Sequence, residues 1–256
     1  MAEIRLERIR DLVQREVERY AAERPKSKAL FEKARRNLVG GVPMSWMRIW
    51  VGGFPVFVEK ARGVYITDVD GHRYLDLCLG DTGGLCGHAH PKIVGAISSQ
   101  LKNRGTTTML PTEDCIWVGE ELKRRFKLPY WQILMTATDA NRMALKAARE
   151  FTGRHLILSM NGTYHGSVDE TLCVNFFGEI INNPGLMGPL VKDPTQMTRI
   201  VDFNDVEALE KALAPGDIAC VITEPVMTNV GIINPEPGYH QALRELTRKY
   251  GTLLLI

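Results

Sequence analysis

Residues 218–223 read IACVIT, and the same style recurs in HLILSM (155–160), RIVDF (199–203) and TLLLI (252–256). These runs are apolar almost throughout and do not alternate with polar residues, so neither of their faces is built for water. Strands buried on both faces belong to a parallel sheet with helices packed on each side. The stretches between them supply the helices, because apolar residues recur at helical spacing over 91–102, 113–125, 140–151, 205–213 and 238–250. Two further short apolar runs, 132–135 and 171–174, are expected to add strands to this sheet. The body of the chain therefore reads as a doubly wound α/β domain.

Working outward, the style changes before residue 91. A first helix carries the apolar stripe Leu6, Ile9, Val13, Val17 and Tyr20, and a second covers 27–38, until Gly40, Gly41 and Pro43 break the pattern. Residues 54–59 and 63–67 read as strands, and Asp70-Gly71 is a hairpin turn leading into 73–77. This gives two expected domains: 1–90, helices and antiparallel strands, and 91–256, the α/β body. Residues 178–198 hold three prolines and three glycines with no period of either kind, which reads as a lid or an insert. The last strand runs to Ile256, where ligand-binding groups of a parallel sheet ought to follow, so a C-terminal part is expected to be missing.

The 256 residues are 45% apolar and 24% charged with a formal net charge of +2, a composition that excludes disordered and collagen-like classes. No apolar run approaches the ~18 residues that span a bilayer and no signal-type stretch opens the chain, so a cytoplasmic protein without a membrane role is expected. The first 36 residues carry a local charge of +4, but the signs are interspersed on a helical pattern, which reads as a solvated face and not as a nucleic-acid arm. The cysteines, at 78, 86, 115, 173 and 220, form no CxxC pair, so neither a disulfide framework nor a zinc site is implied and buried thiols are expected. Cys86, His88 and His90 lack a second ligand pair, and no metal is assigned.

Three segments carry candidate chemistry. In WQILMTATDANRMALKAAR (131–149), Thr136, Thr138 and Asp139 sit where a strand turns into a helix. They can cradle a phosphate on the unpaired N–H groups of the helix N-terminus, or act as ordinary N-caps. In NGTYHG (161–166), Tyr164 and His165 follow an apolar strand, where a ring can stack on a planar cofactor or simply pack a loop. Glu224, after IACVIT, can orient a cofactor or cap the next turn. The motifs GxGxxG, GxxxxGK[ST] and GxSxG do not occur, which argues against Rossmann, P-loop and α/β-hydrolase chemistry.

Taken in order, the blocks GVYITDVDGHRYLDL, CGHAHP, TATDANRMALKAAREFTGR, YHG and EPVMTNVGIINPEPGYHQALRELTRKYGTLLLI resemble class III pyridoxal-phosphate (PLP) aminotransferases, and within them the glutamate-1-semialdehyde aminomutases. The resemblance covers about Leu38 to Ile256. It implies fold type I of the PLP-dependent transferases, a homodimer, and transfer of an amino group between an amino acid and a carbonyl acceptor. By matching position, Thr136, Ala137 and Thr138 fall on the phosphate cup, Tyr164 on the ring-stacking aromatic with His165 beside it, and Glu224 and Asn229 around the cofactor. Arg48 lies one residue out of register from the arginine for a substrate carboxylate. Ala137 stands where the family prefers Gly, which implies strain should its φ be positive. The family's pyridine-nitrogen Asp and Schiff-base Lys would follow Ile256, so no catalytic residue is assigned within the chain and the chain alone is expected to be inactive. A competing expectation is a non-catalytic, truncated homologue acting as a dimerisation partner.

Overall fold

In the computed structural model, residues 6–50, 52–80, 83–105, 110–182 and 193–256 are described, and the chain divides into two units between Thr112 and Glu113. In the first unit, helices α1 (Leu6–Glu23) and α2 (Pro25–Ala34) precede an antiparallel meander of β1 (Val58–Arg62), β2 (Tyr65–Asp68) and β3 (Arg73–Leu75), and α3 (Pro91–Asn103) follows. β1 starts later than expected because Phe54 is committed elsewhere. Its buried ring lies 5.0 Å from that of Tyr20 and 6.3 Å from that of Phe31, and its carbonyl accepts from the Tyr20 hydroxyl at 2.8 Å. Along the stripe of α1, Leu6, Ile9 and Val13 are exposed, while Val17 and Tyr20 are half-buried.

The Asp70-Gly71 turn does more than reverse the chain. Both oxygens of Asp70 accept from the start of α2, from the N–H of Lys26 at 2.7 Å and of Ser27 at 2.9 Å, a cap that the N-cap residue Arg24 does not provide. Asp68, buried beneath, accepts from the Tyr74 hydroxyl at 2.7 Å and the His72 N–H at 2.8 Å. Burial alone would raise its pKa, but the hydrogen bonds from Tyr74 and His72 win and hold it below the usual carboxylate value. Residues 86–90 are tied to the same module: Gly63 and His88 exchange backbone hydrogen bonds of 2.8 Å, and His88 Nε2 lies 2.7 Å from Asp76 Oδ2.

The second unit runs α4 (Asp114–Phe126), α5 (Ala137–Thr152), β4 (Leu156–Met160), β5 (Cys173–Phe176), β6 (Glu179–Asn182), β7 (Thr198–Val201), α6 (Val206–Leu213), β8 (Ile218–Ile222), α7 (Tyr239–Lys249) and β9 (Leu253–Leu255). Four of these strands form a parallel sheet in the order β7-β4-β8-β9, as the unalternating apolar runs require. Its two faces carry separate cores. Leu158, Met160 and Val221 pack under Leu209 and Leu213 of α6 and Leu243 of α7, while Ile157, Cys220 and Ile222 pack under Leu145 and Ala148 of α5. All five residues of β8 are buried, which is why none of them is charged.

Four further expectations change. Residues 132–135 form no strand: they have no ladder partner among the described residues, and Ile133 and Met135 are exposed. The run at 171–174 does not join the parallel sheet. Thr171 ends a short 3-10 turn, and only Cys173 and Val174 enter a strand, β5, which pairs antiparallel with β6 through the tight turn at Phe177 and Gly178, whose positive φ values of 51° and 93° suit such a turn. Glu179 to Asn182, expected as part of a structureless stretch, is that second strand; residues 183–192 lie outside the described residues. Finally, only Cys173 and Cys220 are buried, whereas Cys78, Cys86 and Cys115 are exposed. Among the described residues no helix is long and apolar enough to cross a membrane.

Candidate functional site

β4 and β8 are neighbours in the sheet, and the chain leaves both at their carboxyl ends, where open parallel sheets bind ligands. Met160 leads into the segment with Tyr164 and His165, and Ile222 into the segment with Glu224 and Asn229. The N-terminus of α5 meets the first of these. Thr138 Oγ1 accepts from the N–H of Ser167 at 3.1 Å, and Asn141 Nδ2 donates to the carbonyl of His165 at 2.8 Å. Asn229 Nδ2 donates to the carbonyl of Gly162 at 2.9 Å and so ties the two strand-end segments together. Thr136, Ala137, Thr138, Tyr164, His165, Glu224 and Asn229 thus stand on three segments joined by hydrogen bonds.

Within the cup the three residues differ. Thr136 is the N-cap of α5, its hydroxyl accepting from the Asp139 N–H at 3.1 Å and donating to Asp139 Oδ2 at 2.7 Å, so that hydroxyl is spent on the helix. Ala137 is the first helical residue and is not among the positions of positive φ, so the strain feared for a Cβ there does not arise. Thr138 accepts from Ser167 and keeps its own hydroxyl proton to donate. The N–H groups of Ala137 and Thr138, in the first turn of a 16-residue helix, have no helical carbonyl to bond and sit at the positive end of the dipole. An anion with several acceptor oxygens suits them.

Gly166 sets how closely the two segments approach. Its φ is +88°, and a Cβ there would run into Thr138, 2.9 Å from its Cα, so only glycine fits. The neighbouring His165 is 9% exposed, and burial lowers its pKa, with the negative charge of Glu224 pulling the other way. Its Nε2 is buried and has no hydrogen-bond partner among the described residues. Glu224 shows the same pattern: Oε2 accepts from the N–H of Thr228 at 2.9 Å and from its hydroxyl at 2.5 Å, while Oε1 is buried and has no partner among the described residues. Buried polar atoms ordinarily find partners, so these two beside the same strand ends could bond a ligand. Tyr164 is 49% exposed and offers a ring face.

Arg48 belongs to the first unit, where it closes a short turn at Ser45–Arg48 and its stem lies against Gly40. The sequence reading did not single out Asn141, Gly166, Ser167 or Thr228, which hold the site residues in place. Gly166 was within the quoted YHG, and its fixed place after an aromatic was a usable signal; the others are ordinary polar residues whose partners are set by the fold.

This parallel sheet with helices on both faces is an α/β fold of the type found in PLP-dependent aminotransferases, and solved structures of those enzymes superpose on it. The chain belongs to the class-III aminotransferase family, whose model matches residues 47–256. It is 37% identical over 239 residues to the glutamate-1-semialdehyde 2,1-aminomutase of Methanocaldococcus jannaschii, covering 90% of this chain and 54% of that one. The same enzyme of Sulfurihydrogenibium azorense is 38% identical over 236 residues, covering 90% and 55%. Among solved structures, a glutamate-1-semialdehyde aminomutase from Pseudomonas aeruginosa PAO1 matches with a TM-score of 0.93 and 45% identity over 99% of this chain and 56% of that one. An omega-transaminase from Sphaerobacter thermophilus matches at 0.78 and 32%, over 90% and 54%. A variant of the Pseudomonas enzyme holds PMP, and a further transaminase, 29% identical, has PLP bound. The chain thus spans about half the length of the curated relatives it matches.

Proposed function

We propose that this chain carries the cofactor cradle of a PLP-dependent enzyme that moves an amino group between an amino acid and a carbonyl acceptor, or between two carbons of one substrate. The observation that supports this most is the joining of the α5 N-terminus, the Tyr164–Gly166 segment and the Glu224–Asn229 segment at the ends of β4 and β8. When bound, PLP supplies an electron sink for negative charge developing at the substrate's reacting carbon. The residues of this chain do the holding. Ala137 and Thr138 present N–H groups and one hydroxyl to the phosphate. Tyr164 stacks on the ring and shields one face from water. His165, kept neutral by burial, and Glu224 offer Nε2 and Oε1 to polar groups at the ring's edge. Asn229 fixes the geometry between the two segments.

Arg48 is proposed to bind a substrate carboxylate. The covalent lysine and the carboxylate at the pyridine nitrogen are not assigned to any of these 256 residues. In this proposal the whole protein works as a cytoplasmic homodimer. Identity of 45% to the Pseudomonas aminomutase, against 32% to the omega-transaminase, favours the intramolecular transfer.

Titration of the full-length protein with PLP, followed by absorbance and by retention through dialysis, tests the cradle. Thr138→Val and Tyr164→Ala should each weaken retention, and undiminished cofactor content in both would overturn it. Replacing Arg48 by Ala should raise KM for carboxylate-bearing substrates, and an unchanged KM removes Arg48 from the site. Conversion of glutamate 1-semialdehyde without an added amino donor separates the aminomutase from an intermolecular transaminase.

A further inference from the structure

The three-stranded sheet of the first unit has one face that the cofactor reading leaves unused. Its register places Lys60 opposite Thr67 and Thr67 opposite Arg73 in one row, and Arg62 opposite Tyr65 and Tyr65 opposite Leu75 in the next. Side chains alternate between faces along a strand, so these six residues share one side of the sheet. Lys60, Arg62, Tyr65, Arg73 and Leu75 are all exposed. Lys60, Arg62, Tyr65, Thr67 and Arg73 line an open basin of about 840 Å³. The face holds three cations and no carboxylate, and none of the three cations is in an ion pair among the described residues. Like charges set across one small sheet repel, and an opposite charge brought to them relieves that repulsion.

We propose that this face is a docking surface for an acidic polypeptide segment bound in extended form. Two features select that partner among anions. Lys60 and Arg62 are two residues apart on β1, so their spacing of ~7 Å equals that of successive same-side carboxylates on an extended peptide. The Tyr65 ring already carries the Arg73 guanidinium 3.6 Å from its centroid, so that face is closed to a stacking nucleobase. Leu75 and Val64, exposed by 54% and 51%, give the apolar residues of such a segment something to cover.

The test uses the full-length protein and a fluorescein-labelled peptide of alternating Glu and Val, ten residues long, with binding read by anisotropy at low and at 150 mM salt. Oligo-dT of ten nucleotides and phosphatidylserine vesicles are the comparison probes. The peptide should bind at low salt and weaken as salt screens the charges. Arg62→Glu and Arg73→Glu should each weaken it about fivefold, and Lys60→Gln somewhat less, whereas Arg142→Glu in the other unit should leave it unchanged. Circular dichroism of each variant keeps loss of fold apart from loss of binding, and the milder Lys60→Gln carries the test where a charge reversal unfolds the sheet. Cofactor titration of the same variants should be unaltered, which separates this surface from the cradle. No peptide binding by the wild-type protein, as when another part of the whole chain covers the face, overturns the proposal. So does equal binding by all variants, or tighter binding of oligo-dT or vesicles.

Discussion

Gly166→Ala is the sharpest perturbation this site offers, because two separable penalties meet at one methyl group. The backbone is at φ +88°, a region in which a Cβ costs about 1–2 kcal/mol. The same Cβ would stand 2.9 Å from Thr138 Cα and 3.1 Å from Thr138 Cβ, so backbone as well as side chain must shift, an overpacking cost of about 1–3 kcal/mol. Together these give about 3 kcal/mol, or a fall in Tm of about 6–12 °C for a chain of this size. Gly178→Ala is the control. Gly178 has a φ of +93° but, among the described residues, nothing within 4 Å of a Cβ, so it should lose only the backbone part, about 1–2 kcal/mol. Urea unfolding followed by circular dichroism measures both. Because the shift displaces Thr138, the Gly166→Ala variant should also hold PLP about tenfold more weakly, while the Gly178→Ala variant should not. Equal stability losses in the two variants would refute the argument, since the contact with Thr138 would then have contributed nothing.

Asp70→Ala should cost about 1–2 kcal/mol by uncapping α2, with Asp70→Asn recovering part of it; an unchanged urea midpoint would show that the bonds to Lys26 and Ser27 are not cohesive. His165, whose pKa is lowered in the folded state, makes stability fall as pH drops below its unfolded value of about 6.5, where the unfolded chain takes up a proton that the folded chain refuses. Above that pH it contributes no slope, and His165→Asn should flatten the slope below about pH 6.5; the same slope in the variant would assign it to other groups. Burial pushes the thiols of Cys220 up to about 12 and Cys173 up to about 11, so both should resist alkylation at pH 8 while Cys115 reacts. Mass spectrometry of the alkylated native protein checks this, and early labelling of Cys220 would contradict the packing under α5.

What the sequence discloses depends on how local the cause is. The burial of β8 on both faces follows from five consecutive small or apolar residues, and the helix at α5 from the spacing of Leu145 and Ala148 together with Thr136 as its cap. The start of α5 at Thr136 and the end of β4 before Tyr164 were likewise legible, because a helix start and a strand end are local events. The strand expected at 132–135 failed for the opposite reason: apolar β-forming residues make a strand only where a neighbour offers a ladder. The run at 171–174 found its neighbour in the next few residues, through the turn at Phe177-Gly178, and so left the parallel sheet for a hairpin.

The sequence by itself determined the α/β class, the parallel sheet and the family, since these rest on hydrophobic period, turn chemistry and ordered motifs that a single chain displays. Tertiary structure alone decided which polar atoms meet. That Thr136 spends its hydroxyl on Asp139 while Thr138 takes the N–H of Ser167, or that Thr228 occupies one oxygen of Glu224 and leaves the other unpartnered, is set by distances between segments far apart in the chain. Hydrogen bonds act over about 3 Å, and no periodicity along a chain encodes a separation that only packing creates.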